Sequence, residues 1–133
     1  MTIAAIIQQA PVTVITASPE DSVAAVAALL AEKRIGALPV VSQGRVVGIF
    51  SERDLIYGLA RNGPAILDSK VADAMTSPAI TVEQHVAVLS ALSLMTKRRI
   101  RHLPVVENDM LIGLVSIGDL VKHRIDRIET EAN

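Results

Sequence analysis

The feature that most constrains the fold is an internal repeat, because the chain carries the same pattern twice. Positions 35–41 read Ile-Gly-Ala-Leu-Pro-Val-Val, and positions 100–106 read Ile-Arg-His-Leu-Pro-Val-Val. A second block, Gly48–Leu55, returns as Gly113–Leu120 at the same offset of 65 residues. Between positions 15 and 55, 14 of 41 aligned pairs are identical. A repeat of this length cannot bury its apolar face alone, so we expect the two copies to pack together and form two related clefts.

Composition excludes several classes of function. Of the 133 residues, 50% are hydrophobic, but there is no Trp, one Tyr and one Phe, which predicts an aliphatic core. The chain therefore lacks the rings for an aromatic cage or for a platform that stacks single-stranded nucleic acid. A net charge of −1 gives no general attraction to nucleic acid or to acidic membranes. The absence of cysteine excludes disulfides, a thiolate nucleophile and a cysteine-based zinc site.

A membrane-spanning or exported protein is not expected. The longest apolar run, Val23–Ala31, is about half of the roughly 18 residues that a spanning helix needs. No Lys or Arg precedes Lys33, so the basic start of a signal peptide is missing. We predict a soluble, cytoplasmic protein that binds neither membrane nor nucleic acid.

Each copy is predicted to form strand, helix, strand, strand and helix, which is an α+β pattern. In the first copy Pro11–Thr16 is short and β-branched, as in a strand. Ser18 is the expected N-cap of the next helix, with Pro19 at its first position. The apolar stripe that follows predicts a helix over about 22–34.

The second half of each copy is predicted to be a hairpin followed by a helix. Strands at Leu38–Val41 and Arg45–Phe50 are joined by a glycine-containing turn, and turn formers stand at the same place in the second copy. The last helix begins at Ser51, or at Ser116 in the second copy, and Asn62–Pro64 should end the first one.

The carboxyl-terminal helix carries an apolar stripe. Leu120 or Val121, Ile125 and Ile128 share one of its faces. Such a stripe packs either on a partner subunit or on the chain's own domain, and the residues alone leave both alternatives open.

A Ser-x-x-Asp motif stands at the start of the last helix in both copies, as Ser51 with Asp54 and as Ser116 with Asp119. One interpretation is a capping box, in which serine and acid satisfy free amides of the first helical turn. The other is ligand contact, because a helix start offers N–H groups to an anion and a carboxylate can accept both hydroxyls of a ribose. The motif by itself is compatible with both.

Taken together, the repeated Leu-Pro-Val-Val, the turn and the Gly-apolar-apolar-Ser-x-x-Asp block resemble the cystathionine-β-synthase (CBS) domain in its tandem form, the Bateman module. Val71-x-Asp73-x-Met75-Thr76 resembles the lead-in segment of that family. The resemblance implies βαββα half-units at 1–68 and 69–133, packed by their sheets about a pseudo-twofold axis. It also implies homodimers and reversible binding of an adenosine-containing ligand such as AMP, ADP, ATP or NAD.

The same resemblance assigns residues to two nucleotide-binding clefts, each combining the first strand of one repeat with the Ser-x-x-Asp helix of the other. The favoured cleft holds Ser51, Arg53, Asp54, Ile80, Thr81, Ile100, Arg101 and His102. The second cleft holds Ile15, Thr16, Ile35, Gly36, Ala37, Ser116 and Asp119. The aspartates are expected to grip ribose, and the threonines and isoleucines to line base and ribose.

Charge distinguishes the two predicted clefts. Arg53, Arg101 and His102 belong to the first, and the equivalent residues of the second are Gly118, Gly36 and Ala37. Because arginine holds phosphate through two hydrogen bonds, a phosphorylated ligand is expected to prefer the Asp54 cleft.

No catalytic or metal site is predicted. His85, His102 and His123 lack the spacing of metal ligands and are expected on the surface. The basic run Lys97–Arg99 is better explained as a solvated helix end than as a nucleic-acid patch. We therefore predict a non-enzymatic sensor that acts on a partner protein, which the sequence does not identify. The alternative is a dimerisation module that binds no ligand.

Overall fold

The computed structural model describes residues 1–9 and 14–132 as an α+β arrangement, as predicted. In each repeat a helix is followed by two strands and a second helix, and a 3-10 helix, Gly63–Asp68, follows the first repeat. The strands are β1 (Ala37–Ser42), β2 (Arg45–Ser51), β3 (Val82–Glu83), β4 (His102–Glu107) and β5 (Met110–Ser116). The helices are α1 (Ile3–Gln9), α2 (Val23–Lys33), α3 (Glu52–Asn62), α4 (Val71–Ala74), α5 (Val88–Arg98) and α6 (Ile117–Ala132).

The chain forms two compact units. The first unit contains residues 14–79 with 109–111, and the second contains residues 1–9, 80–108 and 112–132. The core of the first is built around Phe50, Leu38 and Val71, which are fully buried. The core of the second is built around Leu103 and Leu120. Both cores are aliphatic apart from Phe50, as the composition predicts.

The segment before each repeat packs in the unit of the other repeat. Before the second repeat, Val71 N donates to Asp21 O at 2.8 Å, and Val23 N donates to Ser69 O at 2.9 Å. Before the first repeat, Val88 N donates in the same way to Met1 O at 3.0 Å. The predicted halves, 1–68 and 69–133, follow the order of the repeats along the chain. In the compact units, by contrast, each repeat is grouped with the lead-in segment that precedes the other repeat.

The predicted hairpins and turns are confirmed. In the first, β1 and β2 pair antiparallel, with Leu38 opposite Phe50. Its turn residues Gln43 and Gly44 have φ values of 53° and 81°, and Asn108 and Asp109 have 52° and 66° in the second. Left-handed φ at both turn positions matches the right-handed twist of the flanking strands, which is why Gly and Asn are favoured there.

The described part of the first strand predicted for the first repeat differs from the prediction. Residues 11–13 of the expected strand lie outside the described residues, and Val14–Thr16 form no strand. Only Ala17 makes a parallel bridge, to Val40, and β3 pairs Val82 with Val105 in the same register. The β-branched composition indicates extended backbone, but a ladder also needs a partner strand along its length.

The start of α2 also differs from the prediction, because Ser22 and not Ser18 is the N-cap. The Ser22 hydroxyl accepts from Ala25 N at 3.1 Å. Ser18 instead closes a turn with Asp21, whose carboxylate accepts from Ser18 N at 2.9 Å. Ser18 and Ser22 lie four positions apart and could both cap the helix, and the fold selects Ser22, whose backbone also bridges Lys70.

The predicted end of α3 is confirmed, because Gly63 is the C-cap of that helix.

The carboxyl-terminal helix α6 divides its apolar residues between two faces. Leu120 is fully buried, whereas Val121, Ile125 and Ile128 are 44, 49 and 50% exposed. The last three therefore share a face that the described residues leave uncovered. Among residues 1–9 and 14–132, every helix is too short or too polar to span a lipid bilayer.

Candidate functional site

The start of α3 is a complete capping box. Ser51 ends β2 in an extended conformation, and its hydroxyl oxygen accepts from Asp54 N at 3.3 Å. In return, Oδ2 of Asp54 accepts from Ser51 N at 2.9 Å and from the Ser51 hydroxyl at 3.1 Å. The structural interpretation of this motif is therefore confirmed, and the half-buried Asp54 is held in one orientation.

The start of α6 repeats this geometry. Ser116 N donates to Oδ2 of Asp119 at 2.8 Å, and Asp119 N donates to the Ser116 hydroxyl at 3.1 Å. The Asp119 side chain is more exposed than that of Asp54. A Cβ added at Gly118 would meet only the Ser116 hydroxyl, at 3.6 Å, so the first turn of α6 is not crowded.

Both helix starts lie beside the segment that precedes the hairpin. Glu52 N donates to Gly36 O at 3.0 Å, and Ile117 N donates to Arg101 O at 2.8 Å. These two bonds are equivalent in the repeat. They place Gly36 beside the first turn of α3 and Arg101 beside the first turn of α6.

The predicted site residues are divided between the two units. The first unit holds Ile15, Thr16, Ile35, Gly36, Ala37, Ser51, Arg53 and Asp54. The second unit holds Ile80, Thr81, Ile100, Arg101, His102, Ser116 and Asp119. The bonds of Glu52 to Gly36 and of Ile117 to Arg101 each lie within one unit, and the pairing across repeats stays a prediction.

Thr76 contacts Asp54, although the sequence motifs do not predict this contact. Its hydroxyl donates to Oδ1 of Asp54 at 2.9 Å, across 22 residues of sequence. The signal was the lead-in segment Val71–Thr76, whose last residue had no assigned role. A contact of this range depends on the path of the chain, so the spacing alone does not reveal it.

Metal binding receives no support from the described residues. Among the side chains that the structure describes, in residues 1–9 and 14–129, no group of His, Asp and Glu could hold an ion. His85 pairs with Glu83 at 3.3 Å on the surface. The prediction of a surface His123 was wrong, because it lies on the packed face of α6 and is only 8% exposed.

The comparisons with known proteins agree with the repeat. The family model of the CBS domain matches residues 9–61 and 71–126. A curated relative, the mitochondrial CBS domain-containing protein CBSX3 of Arabidopsis thaliana, is 39% identical over 108 residues. That alignment covers 77% of this chain and 52% of the relative, so the chain spans about half of that protein.

Solved structures are similar over nearly the whole chain. A signal-transduction protein with CBS domains from Burkholderia ambifaria has a TM-score of 0.87 and 38% identity, covering 95% of both chains. CBSX2 in complex with AMP has a TM-score of 0.81 and 26% identity, covering 94% of this chain and 96% of its own. The domain pair of protein MJ0100, in complex with methylthioadenosine and S-adenosylmethionine, has a TM-score of 0.82 at 26% identity, covering 96% and 98%.

Proposed function

Because the chain belongs to the CBS-domain family, with two copies of the domain, we propose that it is a regulatory module that binds adenosine-containing ligands at the starts of α3 and α6. The observation that carries this proposal is the repeated placement of an aspartate beside a backbone segment. The helix start that carries Asp54 is hydrogen-bonded to Gly36, and the one that carries Asp119 is hydrogen-bonded to Arg101. The complexes of similar modules with AMP and with S-adenosylmethionine support the same ligand class.

The chemistry of these helix starts suits a nucleoside. An aspartate can accept the two hydroxyls of a ribose, while apolar and backbone groups of the neighbouring segment contact the base. Arg53 and Arg101 are exposed and could neutralise a phosphate. The prediction that a phosphorylated ligand prefers the Asp54 cleft assigns Arg53, Arg101 and His102 to that cleft. Because Arg101 and His102 belong to the other unit, only Arg53 supports this preference at the start of α3, and the preference stays part of the proposal.

Regulation follows from differential binding and involves no catalysis. A ligand shifts an equilibrium between two states only by the ratio of its affinities for them. We propose that AMP, ADP, ATP or NAD changes the conformation or the dimer of this cytoplasmic protein and so alters its contact with a partner protein.

Thermal melts with AMP, ADP, ATP, NAD(H) and S-adenosylmethionine test the proposal. A ligand present at about 100 times its dissociation constant stabilises the fold by roughly 2.7 kcal/mol. Absence of any shift across the panel contradicts the sensor function.

Calorimetric titration of Asp54→Ala and Asp119→Ala then assigns the sites. Each substitution should remove one site, and Glu129→Ala, an exposed acid farther along α6, serves as the control. Because both aspartates also cap helices, the titrations are made below the melting temperature of each variant. If neither substitution changes the stoichiometry, the ligand binds elsewhere.

Exposed apolar side chains on α3 and α6 support a homodimer. On α3, Ile56 is 61% exposed. Its equivalent in the second repeat is Val121 on α6, which shares an exposed face of that helix with Ile125 and Ile128. The same faces favour the second candidate function, a dimerisation module that binds no ligand. Sedimentation velocity of Ile125→Glu should show monomers where the control Lys122→Glu retains dimers. A wild-type monomer refutes both the homodimer and this second function.

A further inference from the structure

The carboxylate of Asp54 is occupied by donors from its own chain. Ser51 fills Oδ2 through its backbone N–H at 2.9 Å and its hydroxyl at 3.1 Å. The hydroxyl of Thr76 occupies one acceptor position of Oδ1 at 2.9 Å. Of the roughly four acceptor positions of a carboxylate, three are thus taken by protein donors. The two hydroxyls of a ribose can both be accepted by Asp54 only if at least one of these donors leaves.

Thr76 is held in this position by its backbone. It exchanges two hydrogen bonds with Ile49 of β2, Ile49 N to Thr76 O at 3.0 Å and Thr76 N to Ile49 O at 2.9 Å. The next residue, Ser77, donates its hydroxyl to Val47 O at 2.8 Å. Because these bonds align the segment along β2, the Thr76 hydroxyl reaches Asp54 without further loss of chain entropy.

Asp119 carries no equivalent donor in the part of the chain that the structure describes. Its Oδ2 accepts from Ser116 N at 2.8 Å, and among the described residues no serine or threonine hydroxyl donates to its Oδ1. A Cβ added at Gly48 would meet the Met75 side chain and the Thr76 backbone oxygen, whereas one added at the equivalent Gly113 would meet the side chain of Ile7. Within the described residues, the two aspartates are thus alike in sequence and differ in their hydrogen-bond donors.

We propose that Thr76 is a specificity-determining residue, an internal competitor that occupies Asp54 in place of a ribose hydroxyl. The inference rests on the proposed nucleoside function and adds a competitor to one of its sites. Ligand binds Asp54 through both ribose hydroxyls only when it displaces the Thr76 hydroxyl.

The test isolates the Asp54 site in an Asp119→Ala background and measures AMP affinity by calorimetry. Thr76→Val keeps the shape of the side chain and removes the hydroxyl, so AMP should bind about two- to tenfold more tightly, the range expected for loss of one competing hydrogen bond. Ser77→Ala is the matched control, because it removes a neighbouring hydroxyl that does not touch Asp54. Its affinity should equal that of the background.

A second background, Asp54→Ala, reports on the Asp119 site, where Thr76→Val should leave AMP affinity unchanged. Unchanged or weaker binding of Thr76→Val at the Asp54 site overturns the competitor role while the ligand function stands. Equal tightening in both backgrounds also overturns it, because the effect is then not specific to Asp54. Absence of AMP binding in the wild type and in every variant refutes AMP as the ligand of the proposed function, and the competitor role with it.

Discussion

A single methyl group at Gly48 of β2 should show how closely the lead-in segment is packed. An added Cβ would lie 2.6 Å from Met75 Sδ and 2.9 Å from the backbone oxygen of Thr76. The Met75 side chain can turn away. The Thr76 oxygen accepts from Ile49 N at 3.0 Å, so it moves only if that hydrogen bond lengthens. We therefore expect Gly48→Ala to separate Thr76 from β2.

The expected cost follows from two opposing effects. Overpacking of this kind costs about 1–3 kcal/mol, and weakening a backbone hydrogen bond adds up to about 1 kcal/mol. Replacing a strand glycine by alanine recovers roughly 0.5–1 kcal/mol of backbone entropy. The free energy of unfolding should therefore fall by about 2 kcal/mol, which lowers the melting temperature by roughly 8 °C at about 4 °C per kcal/mol.

Gly113→Ala is the matched control, because it stands at the equivalent position of the second repeat. Its Cβ would lie 3.0 Å from Cγ2 of Ile7, a side-chain contact that a shift of a few tenths of an ångström relieves. Its stability should change by less than about 1 kcal/mol, since the tight contact and the entropy gain nearly cancel.

Urea unfolding measures both variants, and hydrogen exchange of the Thr76 amide reports on the segment itself. In Gly48→Ala this amide should exchange faster, because its bond to Ile49 O, 2.9 Å long, is disturbed. Equal stability losses in the two variants, or a stable Gly48→Ala with a protected Thr76 amide, would refute this account of the packing.

Three further outcomes are expected. Phe50→Ala should lower the free energy of unfolding by about 3–5 kcal/mol in urea, because the side chain is fully buried. Ser22→Ala should cost about 1 kcal/mol of the same free energy and Ser18→Ala less, and the reverse order would contradict the assignment of the N-cap. A hydrogen bond and the charge of Glu20 raise the pKa of Lys70 above its ordinary 10.5. The stabilisation by this pair is therefore complete below pH 10.5 and is lost as the pH rises through the folded pKa, so melting temperatures of wild type and Lys70→Met should converge there.

The local features of this chain could be predicted from sequence because each depends on residues close together. The hairpin turns need left-handed backbone at two positions, which Gln43-Gly44 and Asn108-Asp109 supply. The capping of α3 needs only Ser51 and Asp54, three residues apart. The 65-residue repeat also indicated the family and the fold, since matched blocks at one spacing require matched half-units.

Only the tertiary structure decided which of these equivalent residues remain available. Ser18 and Ser22 both satisfy the rule for an N-cap, and the bridge from Ser22 to Lys70 selects between them. Asp54 and Asp119 stand in the same motif, yet Thr76 reaches one of them from 22 residues away. Such contacts form because each lead-in segment packs in the unit of the other repeat. The repeat therefore predicted two similar helix starts, and the long-range path of the chain made their carboxylates different.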